Sequence, residues 1–102
     1  MAVKTFPHDS AEYLEDDQAI AEYLEEAMNI AIKDSDPSFL AVALGTVARA
    51  RGMSQIARDT GLSRESLYKA LGAEGNPEFG TVLKVLQALG LKLSIRSNGA
   101  AA

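Results

Sequence analysis

The sequence predicts an all-α fold: a compact helical bundle built around a helix-turn-helix and finished by one short C-terminal β-strand, expected to pair with a second copy. Three observations predict it. Apolar side chains recur at helical spacing through most of the 102 residues, cap and breaker residues cut that pattern into short pieces, and only after Gly90 does the period drop to two.

The elements follow in order. Asp9 precedes Glu12 by three residues, the spacing of a cap with its reciprocal carboxylate, which predicts a short helical turn at 10–14. Ile20, Tyr23, Leu24, Ala27, Met28 and Ala31 then keep the i, i+3, i+4, i+7 rule while Glu22, Glu25 and Glu26 fall opposite, predicting an amphipathic helix over 17–33. Asp34, Ser35, Asp36 and Pro37 break it. Asp36 is the expected N-cap of the next helix and Pro37 its first residue, where a missing N–H costs nothing. Phe39, Leu40, Ala43, Leu44, Val47 and Ala48 give that helix its buried stripe, and Gly52 its end.

Ser54 is expected to cap a helix running to Thr60 and closed by Gly61, and Ser63 to cap another running to Leu71. After a loop from Gly72 to Gly75, Asn76 and Pro77 repeat the cap-plus-proline start. Phe79, Val82, Leu83, Leu86 and Leu89 then lead to Gly90. Beyond it Leu91, Leu93 and Ile95 alternate with Lys92, Ser94 and Arg96, the pattern of a half-buried strand over 91–96. A lone strand leaves its backbone groups unpaired, so Leu91, Leu93 and Ile95 are expected to pair antiparallel across a twofold axis, making a homodimer.

Composition narrows the function. With 47% apolar and 24% charged residues the chain has the make-up of one small soluble domain. No apolar run approaches the roughly 18–20 residues of a membrane span and no secretory stretch follows Lys4, so a cytoplasmic location is expected. There is no cysteine and one histidine, His8, which excludes thiolate catalysis, disulfides, cysteine zinc sites and multi-histidine metal cages. No enzyme activity, metal or cofactor is expected.

The net charge of -4 conceals an asymmetry: residues 1–48 carry two basic and ten acidic side chains, residues 49–102 eight basic and four acidic. The second half is suited to face phosphates. Glu12, Glu15, Asp16, Asp17, Glu22, Glu25 and Glu26 form an acidic front, either a solvated face or a surface for a cationic partner. Glu22, Glu25 and Glu26 are its candidate contacts.

Residues 53–72, Met-Ser-Gln-Ile-Ala-Arg-Asp-Thr-Gly-Leu-Ser-Arg-Glu-Ser-Leu-Tyr-Lys-Ala-Leu-Gly, have the organisation of a helix-turn-helix. Ala57 is the small residue that two closely crossing helices need, and Gly61, four positions on, tolerates the positive φ of a sharp turn. Ile56, Leu62, Leu67 and Leu71 anchor the pair. Ser63, Arg64, Glu65, Ser66, Tyr68 and Lys69 are left for a DNA major groove, with Ser54 and Gln55 from the first helix. Arg64 suits either a guanine edge or a phosphate; Glu65 is a base contact or a first-turn dipole partner; Tyr68 is a DNA contact or a core side chain. Ser66 and Lys69 also match the S-x-x-K spacing of serine acyl-enzymes, but the companion S-D-N and K-T-G elements are absent.

The helix carrying Arg49 and Arg51, this motif, and the helix after it give the arrangement of phage-repressor-like domains. More specifically, residues 43–71 and 75–93, with a start like 6–14 and 19–24, resemble the addiction-module antidote family, the HigA-type antitoxins. The resemblance spans nearly the whole chain and departs from the family chiefly at 97–102. It implies a DNA-binding antitoxin that represses its own operon and neutralises a small basic toxin of the RelE/ParE class, with the recognition helix at 63–71. The alternative is a free-standing phage-type regulator without a toxin. The chain accordingly divides into an acidic helical extension (1–36), a DNA-binding domain with its strand (37–96) and a disordered tail (97–102).

Overall fold

The structure, a computed structural model, describes residues 16–97 and residue 99. Five helices follow one another: α1 (Asp17–Asp34), α2 (Pro37–Arg51), α3 (Met53–Thr60), α4 (Arg64–Ala70) and α5 (Phe79–Ala88). The turn expected at 10–14 lies outside the described residues, as does most of the tail.

Local chemistry sets the ends. The Asp16 carboxylate accepts from the Gln18 N–H at 3.2 Å and starts α1, while the Asp36 carboxylate accepts from the Ser38 N–H at 3.1 Å and starts α2 with Pro37 in its first turn. Between them Ser35 turns left-handed at φ 52, and the Asp36 N–H reaches back to the Ala31 carbonyl at 2.9 Å. Among the described residues Ser35 is the one non-glycine residue with positive φ.

Two expected starts are corrected. Ser54 does not cap α3: Gly52, at φ 111, ends α2 and opens α3 by itself, so that Met53 is already helical and buried and Ser54 lies inside the first turn. Asn76 and Pro77 do not start α5 either; Glu78 is its N-cap, and the chain stays irregular for two residues longer. The loop is held close there, since a β-carbon at Gly75 would stand 2.1 Å from the Ala70 carbonyl oxygen.

The expected C-terminal strand is also corrected, because the described residues contain no strand. Gly90, at φ 77, and Leu91 belong to the end of α5: Gly90 donates to the Gln87 carbonyl at 3.0 Å and Leu91 to that of Leu86 at 2.9 Å. Leu91 therefore packs half-buried on the core as part of a helix cap, not as the first residue of a ladder. Among the described residues, the segment that follows has no neighbouring strand to supply a ladder. Leu93 is 42% exposed and Ile95 94%.

One buried cluster joins all five helices. Ile20 and Leu24 of α1, Leu44 and Val47 of α2, Ile56 of α3, Leu67 of α4 with Leu71 behind it, and Val85 of α5 meet in it. Side chains of this size contribute about 1.5–3 kcal/mol each on full burial. No polar or charged residue is buried among the described residues, so shape alone sets the packing. At Gly45, which is buried, α2 comes into contact with the backbone of Leu71 at the end of α4.

Candidate nucleic-acid interface

The α3–α4 turn is built from its own side chains. Gly61, left-handed at φ 77, donates to the Ala57 carbonyl at 2.9 Å and closes α3. Thr60 Oγ1 donates to the Ile56 carbonyl at 2.8 Å and accepts from the Leu62 N–H at 3.3 Å, tying the turn to the helix before it. The Ser63 hydroxyl then accepts from the Ser66 N–H at 2.9 Å and starts α4.

That cap fixes which side of α4 is which. Leu67 and Leu71 are sealed in the core and Leu62 packs against it, while Ser63, Arg64, Glu65, Ser66, Tyr68 and Lys69 are all exposed. Tyr68 is a surface residue, 43% exposed, with the Arg64 guanidinium over its ring at 5.8 Å from the centroid. Arg64 at the first helical position opposes the helix dipole, and the ring face offsets that cost. Glu65 in the first turn and Lys69 in the last agree with the dipole.

Ser54 and Gln55 are exposed on α3. The Gln55 amide is engaged at both ends: its Nε2 donates to Asp59 Oδ1 at 2.9 Å, and its Oε1 accepts from Arg58 Nη2 at 2.6 Å. Arg58 thus joins this surface, and the sequence reading missed it. Its signal was the i, i+3 spacing from Gln55. Arg51 is drawn the other way, to an ion pair with Asp17 of α1.

The acidic residues gather on α1. Glu22 and Glu25 are exposed and Glu26 half-buried; Glu22 accepts from Gln18 Nε2 at 3.2 Å, and Glu25 is ion-paired with Arg96. Asp16 and Asp17 are exposed at the start of the helix; Glu12 and Glu15 lie outside the described residues. So does His8, and no group of three His, Cys, Asp or Glu side chains among the described residues is placed to hold a metal. No described helix is long and apolar enough to cross a membrane.

The chain has counterparts among known sequences. The family model described as "probable addiction module antidote protein" matches residues 4–97. The chain belongs to that antidote family. An uncharacterized protein of Haemophilus influenzae is 47% identical over 90 residues, 88% of this chain and 89% of the relative. No solved structure matches. An antidote, by that description, has a toxin as its counterpart.

Proposed function

We propose that this antidote chain is a DNA-binding antitoxin that represses its own operon through α3 and α4 and neutralises a small basic toxin of the RelE/ParE class through the acidic side of α1. The observation that carries the DNA half is the sorting of α4: Leu67 within the helix and Leu71 at its end are sealed in the core, while five polar or aromatic residues of the helix and Ser63 at its start are left outside. In a major groove, Arg64 held against Tyr68 would donate to guanine O6 and N7 or to a phosphate, and Lys69 to a phosphate. Ser54, Gln55 and Arg58 would border the same groove from α3. Nothing in this reading makes or breaks a bond; it is a binding protein and not an enzyme.

So short a helix spans few base pairs, and two copies on an inverted repeat would supply the rest, with half-sites about 34 Å apart or a multiple of that. The second copy would meet the first through exposed apolar side chains such as Ile95, without a β-ladder. The toxin half is supported by the family description and by the acidic residues of α1, which would steer a cationic protein.

The test is fluorescence anisotropy with the DNA upstream of the chain's own gene, and growth rescue on co-expression with the neighbouring gene. Binding that prefers this DNA to unrelated duplex and weakens steeply with salt is expected. Equal affinity for both duplexes would overturn the repressor reading, and absence of rescue the antitoxin reading.

A further inference from the structure

An apolar groove of about 280 Å³ opens between α1, α2 and α5, lined by Met28, Leu40, Leu44, Phe79 and Val82, with Leu93 on the C-terminal segment. The α1 side beside it is acidic: Glu25 stands one turn before the lining residue Met28, and Glu22 one turn before that. The chain's own C-terminal segment already uses both features. Leu93 lines the groove, and Arg96, three residues on, is ion-paired with Glu25.

This internal occupant fits loosely. Leu93 remains 42% exposed and Phe79 66%, and the Arg96–Glu25 pair is exposed on both sides, where such pairs add little net stability. The groove is therefore open to a competitor of the same chemistry.

We propose that the groove and the acidic side of α1 beside it are the docking site of a cationic protein, which inserts an aliphatic side chain into the groove and sets an arginine or lysine on Glu25, displacing residues 91–97. The acidic side selects for positive charge, and the spacing of Leu93 to Arg96 describes the segment that fits: an aliphatic residue followed three positions later by a base. That the cationic protein is the toxin rests on the reading above; the chemistry of the surface does not.

The probe is a fluorescein-labelled peptide with the sequence of residues 91–97, Leu-Lys-Leu-Ser-Ile-Arg-Ser, titrated with the full chain and with its Leu93→Ser/Arg96→Ser variant. Removing the competing segment is expected to tighten binding about tenfold if that segment holds the site nine-tenths of the time. Adding Glu25→Gln or Phe79→Ser, both at exposed positions, is expected to weaken it severalfold with an unchanged circular dichroism spectrum. Binding indifferent to both substitutions, or no binding to either chain, overturns the site. So does sedimentation of the wild-type chain as a dimer that Phe79→Ser dissolves, which would make a second copy the occupant. Peptide binding without growth rescue by the neighbouring gene test upholds the site and overturns the toxin reading. Rescue that survives Glu25→Gln/Phe79→Ser, with peptide binding lost, overturns the site as the toxin's.

Discussion

Gly45 of α2 lies directly against the carbonyl oxygen of Leu71: a β-carbon there would stand 2.3 Å from that oxygen and 3.3 Å from the Leu71 Cβ. The obstacle is backbone, which cannot rotate aside. Gly45→Ala should therefore push α2 away from the end of α4 and cost about 1–3 kcal/mol. The measurement is a lower urea midpoint at unchanged slope. A wild-type midpoint would mean that the two helices slide past each other freely.

Ser35 invites the opposite change. A left-handed conformation costs a non-glycine residue about 1–2 kcal/mol, and glycine gives back about 0.4–1 kcal/mol through the greater freedom of its unfolded chain. Ser35→Gly should then raise stability by roughly 0.5–1 kcal/mol, the difference between those two effects. Thermal unfolding would detect it, and a lowered midpoint would contradict the left-handed assignment.

On α4, Arg64→Ala with Lys69→Ala should abolish operator binding. Each lost base-edge contact costs about 1–3 kcal/mol, and each lost phosphate contact lowers the salt slope by about one unit, which separates the two roles. Tyr68→Phe keeps the ring face beneath Arg64 and should bind nearly as wild type; Tyr68→Leu should not. Equal loss in both would assign the effect to the Tyr68 hydroxyl.

Ser63 caps α4, so Ser63→Ala should cost about 1 kcal/mol of stability while Ser63→Asn retains it. Denaturation of the free protein reads the cap alone. If Asn also restores operator affinity, the hydroxyl serves the helix and not the DNA.

For the acidic helix, changing Glu22, Glu25 and Glu26 to lysine should slow association with a basic toxin, by an amount that shrinks as salt is added. Operator binding should be unchanged or slightly stronger. Stopped-flow mixing at low salt checks this, and a wild-type rate would make the face a merely solvated one.

What was legible in the sequence is what neighbouring residues decide among themselves. Gly61 and Ser63 define the turn because a left-handed residue and a cap act within four positions, and Asp36 with Pro37 does the same for α2. Where two residues competed for one role, local pattern misled: Gly52 took the start of α3 from Ser54, because one positive-φ glycine can end one helix and begin the next. The alternation from Leu91 misled for a related reason, since its first residue was already committed to the cap of α5. Contacts between distant positions left no local trace. Asp17 and Arg51 are 34 positions apart and Glu25 and Arg96 are 71 apart, so the ion pairs that engage two of the acidic residues had to come from the fold. Gly45 carried a faint signal, a glycine inside an otherwise apolar helical stripe.

Gly52 also limits how this chain can change in length. With a single residue joining α2 to α3, there is no slack to absorb an insertion. One residue added to the last turn of α2 would swing everything beyond it by about 100° around the helix axis, tearing Ile56 and Leu67 out of the core. The irregular stretch between α4 and α5 is built differently and follows both helices of the turn. Relatives that differ in length should therefore carry their insertions and deletions there and leave the joint at Gly52 at a single residue.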